Sequence, residues 1–374
     1  MSASSLYPST AEVATGLPVH TERDISTTKS EALQTLAGFG FPRGLAAEVL
    51  RSTECFPLRL WVVDNSGSMQ STDGSRLVSL PGGRTRIVSS TRWQELYDTL
   101  SSVADMSQAL QARTEFLLLN PTTCGVPQWL SVGGGIQAVD ELPISSLGQA
   151  VDSTSFREMM SRVSPAGGTP LTEAVMQVTN ILEPIAPTLA ARGQQAVVVL
   201  ATDGLPNDQT TFVAALQALQ RLPVWVVIRL CTNDDNVVEY WSDLDRSLEA
   251  SLEVLDDEAG EAAEIASAGQ RWLTYGPPLH LAREFGVQNR LLDLIDEARL
   301  VPSQVKQVCE LILGCGALPE PEADWKGFKD ALKAAINDSP STVDPRSGQR
   351  RPWIELSYVR GPRSGPCDGR CSVQ

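Results

Sequence analysis

The sequence has few of the side chains on which hydrolytic catalysis and zinc binding usually depend. Only two of its 374 residues are histidine, His20 and His280, and no recognisable motif surrounds either of them. The chain also lacks a Gly-x-Ser-x-Gly turn and a phosphate loop that ends in Gly-Lys-Ser or Gly-Lys-Thr. We therefore expect neither a Ser-His-Asp hydrolase nor a P-loop nucleotidase.

Long apolar runs are also missing. No stretch approaches the roughly 20 apolar residues that a membrane-spanning helix needs, so we expect no membrane span. Residues 1–30 are polar, rich in Ser and Thr and without an apolar block. This composition predicts a disordered segment and no signal peptide. We expect a cytoplasmic protein, with the nucleus as the alternative location.

Positive charge is scarce, because the formal net charge is -15. Binding to nucleic acid draws most of its affinity from cations placed against phosphates, so we expect no nucleic-acid partner. Acidic residues concentrate between 253 and 264, and arginines concentrate in the tail after residue 341. We interpret both as solvated surface, with docking of the tail onto the acidic run as the alternative.

The seven cysteines are odd in number and scattered, which favours a reducing compartment. Cys55, Cys231 and Cys309 have apolar sequence neighbours, so we predict thiols in apolar surroundings there. Cys367 and Cys371 lie close together, but neither a second cysteine pair nor a histidine accompanies them. They therefore make a poor zinc site.

What the chain does have is an apolar strand that ends in an acid and two hydroxyls. Residues 58–63 are followed by Asp64, Ser66 and Ser68. Carboxylate and hydroxyl oxygens are hard ligands that suit Mg²⁺, Ca²⁺ or Mn²⁺ better than zinc or copper. Taken alone, the same residues also fit an ordinary turn that caps the next helix.

Two later segments each place an oxygen ligand where a loop meets a regular element. Thr169 follows two glycines and precedes Pro170, which suits the first turn of a helix. Asp203 follows the apolar run 196–202. Because an open parallel sheet gathers its loops at the carboxyl ends of the strands, these segments can meet at one crevice. The predicted metal ligands are Asp64, Ser66, Ser68, Thr169 and Asp203.

The three segments resemble the metal-ion-dependent adhesion site (MIDAS) of the von Willebrand factor A-like (VWA) domains. All five ligand positions match, and the runs Gly-Gly-Thr-Pro-Leu and Thr-Asp-Gly are typical of the family. The resemblance implies a roughly octahedral divalent ion held directly by Ser66, Ser68 and Thr169, with Asp64 and Asp203 acting directly or through water. It also implies a position for an Asp or Glu of a partner protein. Mg²⁺ is the expected ion, with Mn²⁺ or Ca²⁺ as alternatives.

The resemblance covers residues 56–269 and implies a Rossmann-like fold. The alternation of strand and helix patterns predicts the same class, an α/β fold with a doubly wound, mostly parallel sheet flanked by helices. After this VWA-like region we predict a helical extension at 270–340 and a basic, partly disordered tail at 341–374, with strand character at 352–359.

Residues 31–55 form a predicted helical hairpin around Gly-Phe-Gly-Phe-Pro. The pattern is similar to the first two helices of a ubiquitin-associated domain, although the third helix is absent. Ubiquitin is therefore a further candidate partner. The alternative is a hairpin that packs against the sheet and buries its own leucine and phenylalanine side chains.

The expected function is that of an intracellular scaffold that binds proteins through the metal, and not that of an enzyme. The first alternative is a metal-dependent phosphatase or phosphoryl transferase that uses Asp64. Such an enzyme is expected to carry a second carboxylate two residues later, where this chain has Ser66, and a nearby lysine. The other alternative is a ubiquitin-pathway adaptor that acts through the 31–55 hairpin.

Overall fold

The structure, a computed structural model, describes residues 22–80, 84–134, 147–232, 234–248 and 252–362. Its strands are β1 (Leu58–Val63), β2 (Gly74–Leu80), β3 (Arg84–Ser90), β4 (Thr114–Leu118), β5 (Trp129–Val132), β6 (Gln149–Ala150), β7 (Ala196–Thr202), β8 (Val224–Leu230), β9 (Glu253–Leu255), β10 (Thr342–Asp344) and β11 (Gln349–Arg351). Its helices are α1 (Glu22–Gly38), α2 (Arg43–Cys55), α3 (Arg92–Ala109), α4 (Ser153–Met160), α5 (Leu171–Leu182), α6 (Ala186–Ala191), α7 (Gln209–Gln220), α8 (Asp235–Ser247), α9 (Glu258–Ser267), α10 (Pro277–Glu284), α11 (Arg290–Glu297), α12 (Pro302–Leu313) and α13 (Trp325–Asn337).

A seven-stranded sheet organises the molecule. Its strand order is β6-β5-β4-β1-β7-β8-β9, and only the β4–β5 pair is antiparallel. Helices cover both faces of this sheet. The predicted fold class, a Rossmann-like doubly wound and mostly parallel α/β sheet, is therefore confirmed.

Strand β1 lies at the centre of the sheet and is buried along its whole length. Its side chains alternate between two apolar layers. Trp61 and Val63 belong to one layer, whereas Leu60 and Val62 belong to the other. A strand with helices on both faces needs such a continuous apolar run, which explains why this segment was recognisable in the sequence.

The two faces are covered by different parts of the chain. Helices α5 to α8 supply the layer that contains Leu60, and α3, α4 and the later helices supply the layer that contains Trp61. The chain therefore leaves β1 toward one face and leaves the neighbouring strand β7 toward the other. A crevice forms where adjacent strands diverge in this way, at the carboxyl edge between β1 and β7.

The helical hairpin of α1 and α2 packs into the same core as the sheet. Leu36, Phe41, Leu45 and Val49 are all buried in the layer that contains Trp61. Helix α2 approaches α12 so closely that a Cβ added to Gly44 would lie 2.5 Å from the backbone nitrogen of Gly314. The apolar face of the hairpin is therefore internal, as the packing alternative expects.

Helix α1 begins earlier than the sequence pattern indicates. It starts at Glu22, so the expectation of disorder through residue 30 is wrong for 22–30. Lys29 lies 2.8 Å from Glu54 of α2, so this early part of α1 reaches the second helix of the hairpin. The rest of the predicted disordered segment, residues 1–21, lies outside the described residues.

The tail packs onto the body instead of leaving it at once. Strands β10 and β11 form a hairpin, and Trp353 and Ile354 are both 1% exposed. The strand predicted at 352–359 does not form, and Pro352 at its start has no backbone N–H to donate to a neighbouring strand. Ile354 instead forms a single bridge with Leu273, and a 3₁₀ turn follows. Residues 363–374 lie outside the described part of the chain.

The cysteines of the described residues are all free thiols. Cys231 and Cys309 are buried as predicted, but Cys55 is exposed at the end of α2 because the last turn of that helix turns this side to solvent. Cys367 and Cys371 lie outside the described residues. Among the helices that the structure describes, none has the length and apolar character needed to cross a membrane.

Candidate metal centre

Two of the predicted ligands, Asp64 and Asp203, occupy matching positions on adjacent strands. Asp64 directly follows β1 and Asp203 directly follows β7. The parallel register pairs Val63 with Ala201, and the Asp64 backbone N–H donates to the Ala201 carbonyl at 2.9 Å. The two carboxylates therefore meet at the carboxyl edge of the sheet, in the crevice between β1 and β7.

A continuous chain of hydrogen bonds joins these acids through the two serines. The Ser66 backbone N–H donates to Asp64 Oδ1 at 2.8 Å, and Ser66 Oγ lies 3.0 Å from Ser68 Oγ. The Ser68 hydroxyl then donates to Asp203 Oδ1 at 2.8 Å. Asp64 Oδ2 accepts a hydrogen bond from the Thr202 hydroxyl at 2.7 Å. Four of the five predicted ligands thus form one connected group.

The fifth predicted ligand, Thr169, lies on a loop that docks against this group. The Gly67 N–H donates to the Gly167 carbonyl at 3.1 Å, and the Ala166 N–H donates to the Asn65 carbonyl at 2.8 Å. Thr169 itself is half-buried, and its hydroxyl has no hydrogen-bond partner among the described residues. The structure therefore brings the loop to the crevice without a contact between the Thr169 hydroxyl and the other four.

A pair of asparagines holds the loops of the crevice together, and the sequence analysis assigned them no role. Asn65 Oδ1 accepts from the Asn120 backbone N–H at 2.7 Å, and Asn65 Nδ2 donates to the Asn120 carbonyl at 3.0 Å. Asn120 Nδ2 in turn donates to the Gly168 carbonyl at 2.8 Å. At Gly167, φ is +94° and an added Cβ would lie 2.6 Å from Asn120 Oδ1, so only glycine fits there.

A guanidinium also reaches the group. Arg92, the first residue of α3, donates from Nη1 to Asp203 Oδ2 at 2.8 Å. Its Nε and Nη2 donate to the two oxygens of Asp73 at 2.7 and 2.6 Å. This contact could not be predicted from the sequence, because Arg92 lies 111 positions from Asp203 and a cation is not part of a metal-ligand pattern.

The two acids and Ser66 are buried, and Ser68 opens the crevice toward solvent. Asp64 is 0% exposed and Ser66 is 2% exposed, whereas Ser68 is exposed. Burial raises the pKa of Asp64 and the neighbouring Asp203 charge raises it further, while the hydrogen bonds from Ser66 and Thr202 lower it. An ion would therefore approach past Ser68 toward carboxylates that repel each other.

The donor set fits a hard divalent cation. Among the described residues no three His, Cys, Asp or Glu side chains cluster in a way that could hold a metal, so a site here needs its hydroxyls. The Ser66–Ser68 and Ser68–Asp203 oxygen separations of 3.0 and 2.8 Å are hydrogen-bond distances. They are also near the ~3.0 Å between adjacent ligands of an octahedral Mg²⁺ with bonds of about 2.1 Å.

The acidic run that we interpreted as solvated surface is partly internal. Glu253 and Glu261 are 7% and 1% exposed, so the surface interpretation is wrong for both. Arg283 of α10 donates to Glu253 at 2.7 Å, to Glu261 at 2.6 Å and to Asp296 at 2.8 Å. The guanidinium that neutralises these two acids therefore comes from α10 and not from the basic tail.

Comparisons with known proteins give only distant structural similarity. Neither a protein-family model nor a curated protein matches the chain. Manganese-loaded TRAP protein of Plasmodium vivax aligns with a TM-score of 0.31 and 15% identity over 54% of this chain and 69% of that one. Proximal thread matrix protein 1 from the mussel byssus aligns with a TM-score of 0.28 and 14% identity, and the match spans 46% of this chain but only 37% of the mussel protein. At these TM-scores neither similarity carries an argument about function.

Proposed function

We propose that this chain is an intracellular VWA-like interaction protein that binds a divalent cation at a MIDAS. In this proposal Ser66, Ser68 and Thr169 hold Mg²⁺, or Mn²⁺ or Ca²⁺ in its place, while Asp64 and Asp203 act directly or through water. The connected oxygen group at the edge between β1 and β7 is the observation that carries the proposal. The free thiols of the described residues support a reducing compartment.

The residues around the site orient its oxygens before any ion binds. The Asp64 carboxylate holds the Ser66 backbone, and the Thr202 hydroxyl holds that carboxylate in turn. Both serine hydroxyls can rotate, so an oxygen that now donates a hydrogen bond can turn its lone pairs toward a cation. These contacts make the site preorganised at Asp64 and adaptable at the serines.

The partner in this proposal is a protein that supplies an Asp or Glu side chain. Neutral hydroxyl ligands leave a bound divalent ion with most of its positive charge, so it attracts a further carboxylate even on an acidic protein. Ser68 lies on the exposed side of the group and marks the direction of approach. When bound, the ion supplies a positive bridge between the two proteins.

A phosphatase that uses Asp64 as a nucleophile fits this geometry less well. The Asp64 side chain is 0% exposed, and each of its two oxygens accepts a hydrogen bond. A nucleophile must reach the phosphorus atom, which a buried and doubly bonded carboxylate does not do without rearrangement. Hydrolysis of p-nitrophenyl phosphate by the wild type with Mg²⁺, if lost in Asp64→Asn, would nevertheless favour the enzyme.

Calorimetry with MnCl₂ tests the proposal. The full chain, a Ser66→Ala/Ser68→Ala variant and a matched Ser71→Ala/Thr72→Ala control are titrated with and without acetate as the partner carboxylate. The control removes two exposed hydroxyls of the same loop that are not predicted ligands. We expect binding by the wild type and the control, strengthened by acetate, and none by the Ser66/Ser68 variant. Absence of binding by the wild type, or equal binding by all three proteins, contradicts the proposal.

A further inference from the structure

The candidate metal centre contains a cation of its own, the guanidinium of Arg92. Thr91 caps α3 by accepting a hydrogen bond from the Gln94 N–H, which places Arg92 in the first turn at the carboxyl edge of the sheet. The Arg92 backbone N–H donates to the Ser71 carbonyl at 3.0 Å, so the helix start is fixed to the loop that follows the serines. The side chain is only 14% exposed.

Arg92 divides its donors between two carboxylates with different surroundings. One donor goes to Asp203, whose side chain is 0% exposed, and two go to Asp73, whose side chain is 46% exposed. A planar guanidinium can bind both acids at once, which a lysine ammonium does less well. Asp203 therefore depends on Arg92 for its charge partner inside the crevice, while Asp73 holds the same guanidinium from the solvent side.

A divalent ion on the same oxygen group would meet this guanidinium at short range. Asp203 offers Oδ1 to Ser68 and Oδ2 to Arg92, so both of its oxygens already have a donor. Positive charges that share one buried carboxylate repel each other, and the repulsion is only weakly screened there. Each cation must therefore lower the affinity of Asp203 for the other.

We propose that Arg92 is a built-in competitor of the divalent cation, so that the Arg92–Asp203 contact sets how tightly the metal binds. The inference rests on the proposed metal site. Metal binding weakens the Arg92–Asp203 pair, and Asp73 retains the guanidinium when Asp203 turns toward the ion. Since coupling between two ligands of one site is reciprocal, removing the guanidinium must strengthen metal binding.

The test is the dissociation constant of Mn²⁺ measured by calorimetry on four versions of the full chain. Arg92→Gln removes the charge, and we expect it to tighten Mn²⁺ binding by about tenfold, within the usual range of coupling between sites. Arg92→Lys keeps the charge and is expected to stay within about threefold of the wild type. Arg76→Gln is the matched control. Arg76 of β2 forms an ion pair at 2.5 Å with Asp98, which lies on α3 as Arg92 does.

Asp73→Asn is a second variant, and we expect it to change the Mn²⁺ affinity in the direction opposite to Arg92→Gln. Asp73→Asn leaves the charge of Arg92 balanced by Asp203 alone, so we expect Mn²⁺ binding to weaken several-fold. The loss of the Asp73 charge itself also weakens binding, and the double variant Arg92→Gln/Asp73→Asn separates the two effects. A smaller effect of Asp73→Asn in the Arg92→Gln background than in the wild type supports the competition.

The outcomes separate the inference from the proposed function. Mn²⁺ binding by the wild type with an unchanged dissociation constant in Arg92→Gln overturns the competition and leaves the metal site standing. Equal tightening by the Arg76→Gln control also overturns it, since the effect would then follow net charge alone. No binding by the wild type, Arg92→Gln or Arg92→Lys overturns both. Binding by Arg92→Gln but not by the wild type supports strong competition and contradicts the proposed function, because the wild type then holds no ion.

Discussion

Two polar groups in this molecule differ in how their carboxylates are neutralised. At the carboxyl edge of β1 and β7, Asp64 accepts hydrogen bonds from a backbone N–H and a hydroxyl, with no guanidinium. Around α10, by contrast, Glu253, Glu261 and Asp296 each accept directly from Arg283. The comparison teaches that burial of acids alone does not mark a cation site. What distinguishes the edge is Asp64, which a backbone N–H and a hydroxyl hold in place without a cation to cancel its charge, whereas Asp203 beside it is paired with Arg92.

The second group extends beyond Arg283. Arg229, at 1% exposure, donates to Glu95 of α3 and to Glu284 of α10 at 2.8 Å each. Burial alone would lower the pKa of Arg283, but Glu253 and Glu261 raise it well above its usual value, so the guanidinium stays charged. We assign this internal network a structural role, because its cations are already part of the protein.

The largest expected effect comes from breaking the internal network. Arg283→Met removes the cation and leaves three carboxylates facing one another in a buried site. We expect a loss of roughly 3–5 kcal/mol in the free energy of unfolding, measured by urea denaturation. Arg246→Met is the control, because the Arg246–Asp243 pair lies on the surface and should contribute less than about 1 kcal/mol. Equal losses in the two variants would remove the distinction.

A smaller effect on stability and a specific effect on metal binding are expected at the edge. Asp64→Asn keeps the shape of the side chain and one acceptor oxygen for Ser66 or Thr202. We expect the free energy of unfolding to change by no more than about 1 kcal/mol, while Mn²⁺ affinity falls by about a hundredfold. Asp243→Asn, an exposed acid elsewhere, should leave both unchanged. A large loss of stability in Asp64→Asn would make the edge a structural network like the other.

The smallest expected effect concerns Glu258, which lines a cavity of about 370 Å³ beside the internal network. Burial raises the pKa of its carboxyl from 4.5 to about 7. A folded-state pKa above the unfolded one stabilises the fold fully below pH 4.5, and this contribution is lost as pH rises through about 7. Glu258→Gln should therefore raise the free energy of unfolding at pH 8 and flatten its pH dependence. Glu239→Gln, at an exposed position, should do neither. If Glu258→Gln kept the wild-type pH dependence of the free energy of unfolding, the raised pKa of Glu258 would be refuted.

The fold class and the clustering of four candidate site residues could be predicted, because both follow from patterns of neighbouring residues in the sequence. Strand β1 is buried on both faces, so five of its six residues are apolar, and the guanidinium of the sixth, Arg59, donates to buried backbone carbonyls. The predicted metal-binding motif directly follows this strand. Parallel strands then bring their carboxyl ends together without further information. The prediction of convergence for Asp64, Ser66, Ser68 and Asp203 needed only these two facts.

The ion pairs of the site and of the internal network could not be predicted, because they join residues that are far apart in the sequence. Arg92 reaches Asp203 across 111 positions of sequence, and Arg283 reaches Glu253 across 30. An acidic run looks solvated when its partner guanidinium is not visible beside it, which is why Glu253 and Glu261 were misassigned. The hydroxyl of Thr169 stays a predicted ligand, because its loop is docked in the crevice while the hydroxyl forms no hydrogen bond with the other four predicted ligands.

Anomalous diffraction from a crystal soaked in MnCl₂ tests the central claim most directly, because it locates the ion instead of only detecting it. We predict one strong manganese peak in the crevice between β1 and β7, about 2.0–2.6 Å from the hydroxyl oxygens of Ser66 and Ser68. The ordinary electron density from the same crystal should show Arg92 displaced from Asp203. A crevice without manganese, with the Arg92–Asp203 pair intact at a saturating concentration, would contradict the account.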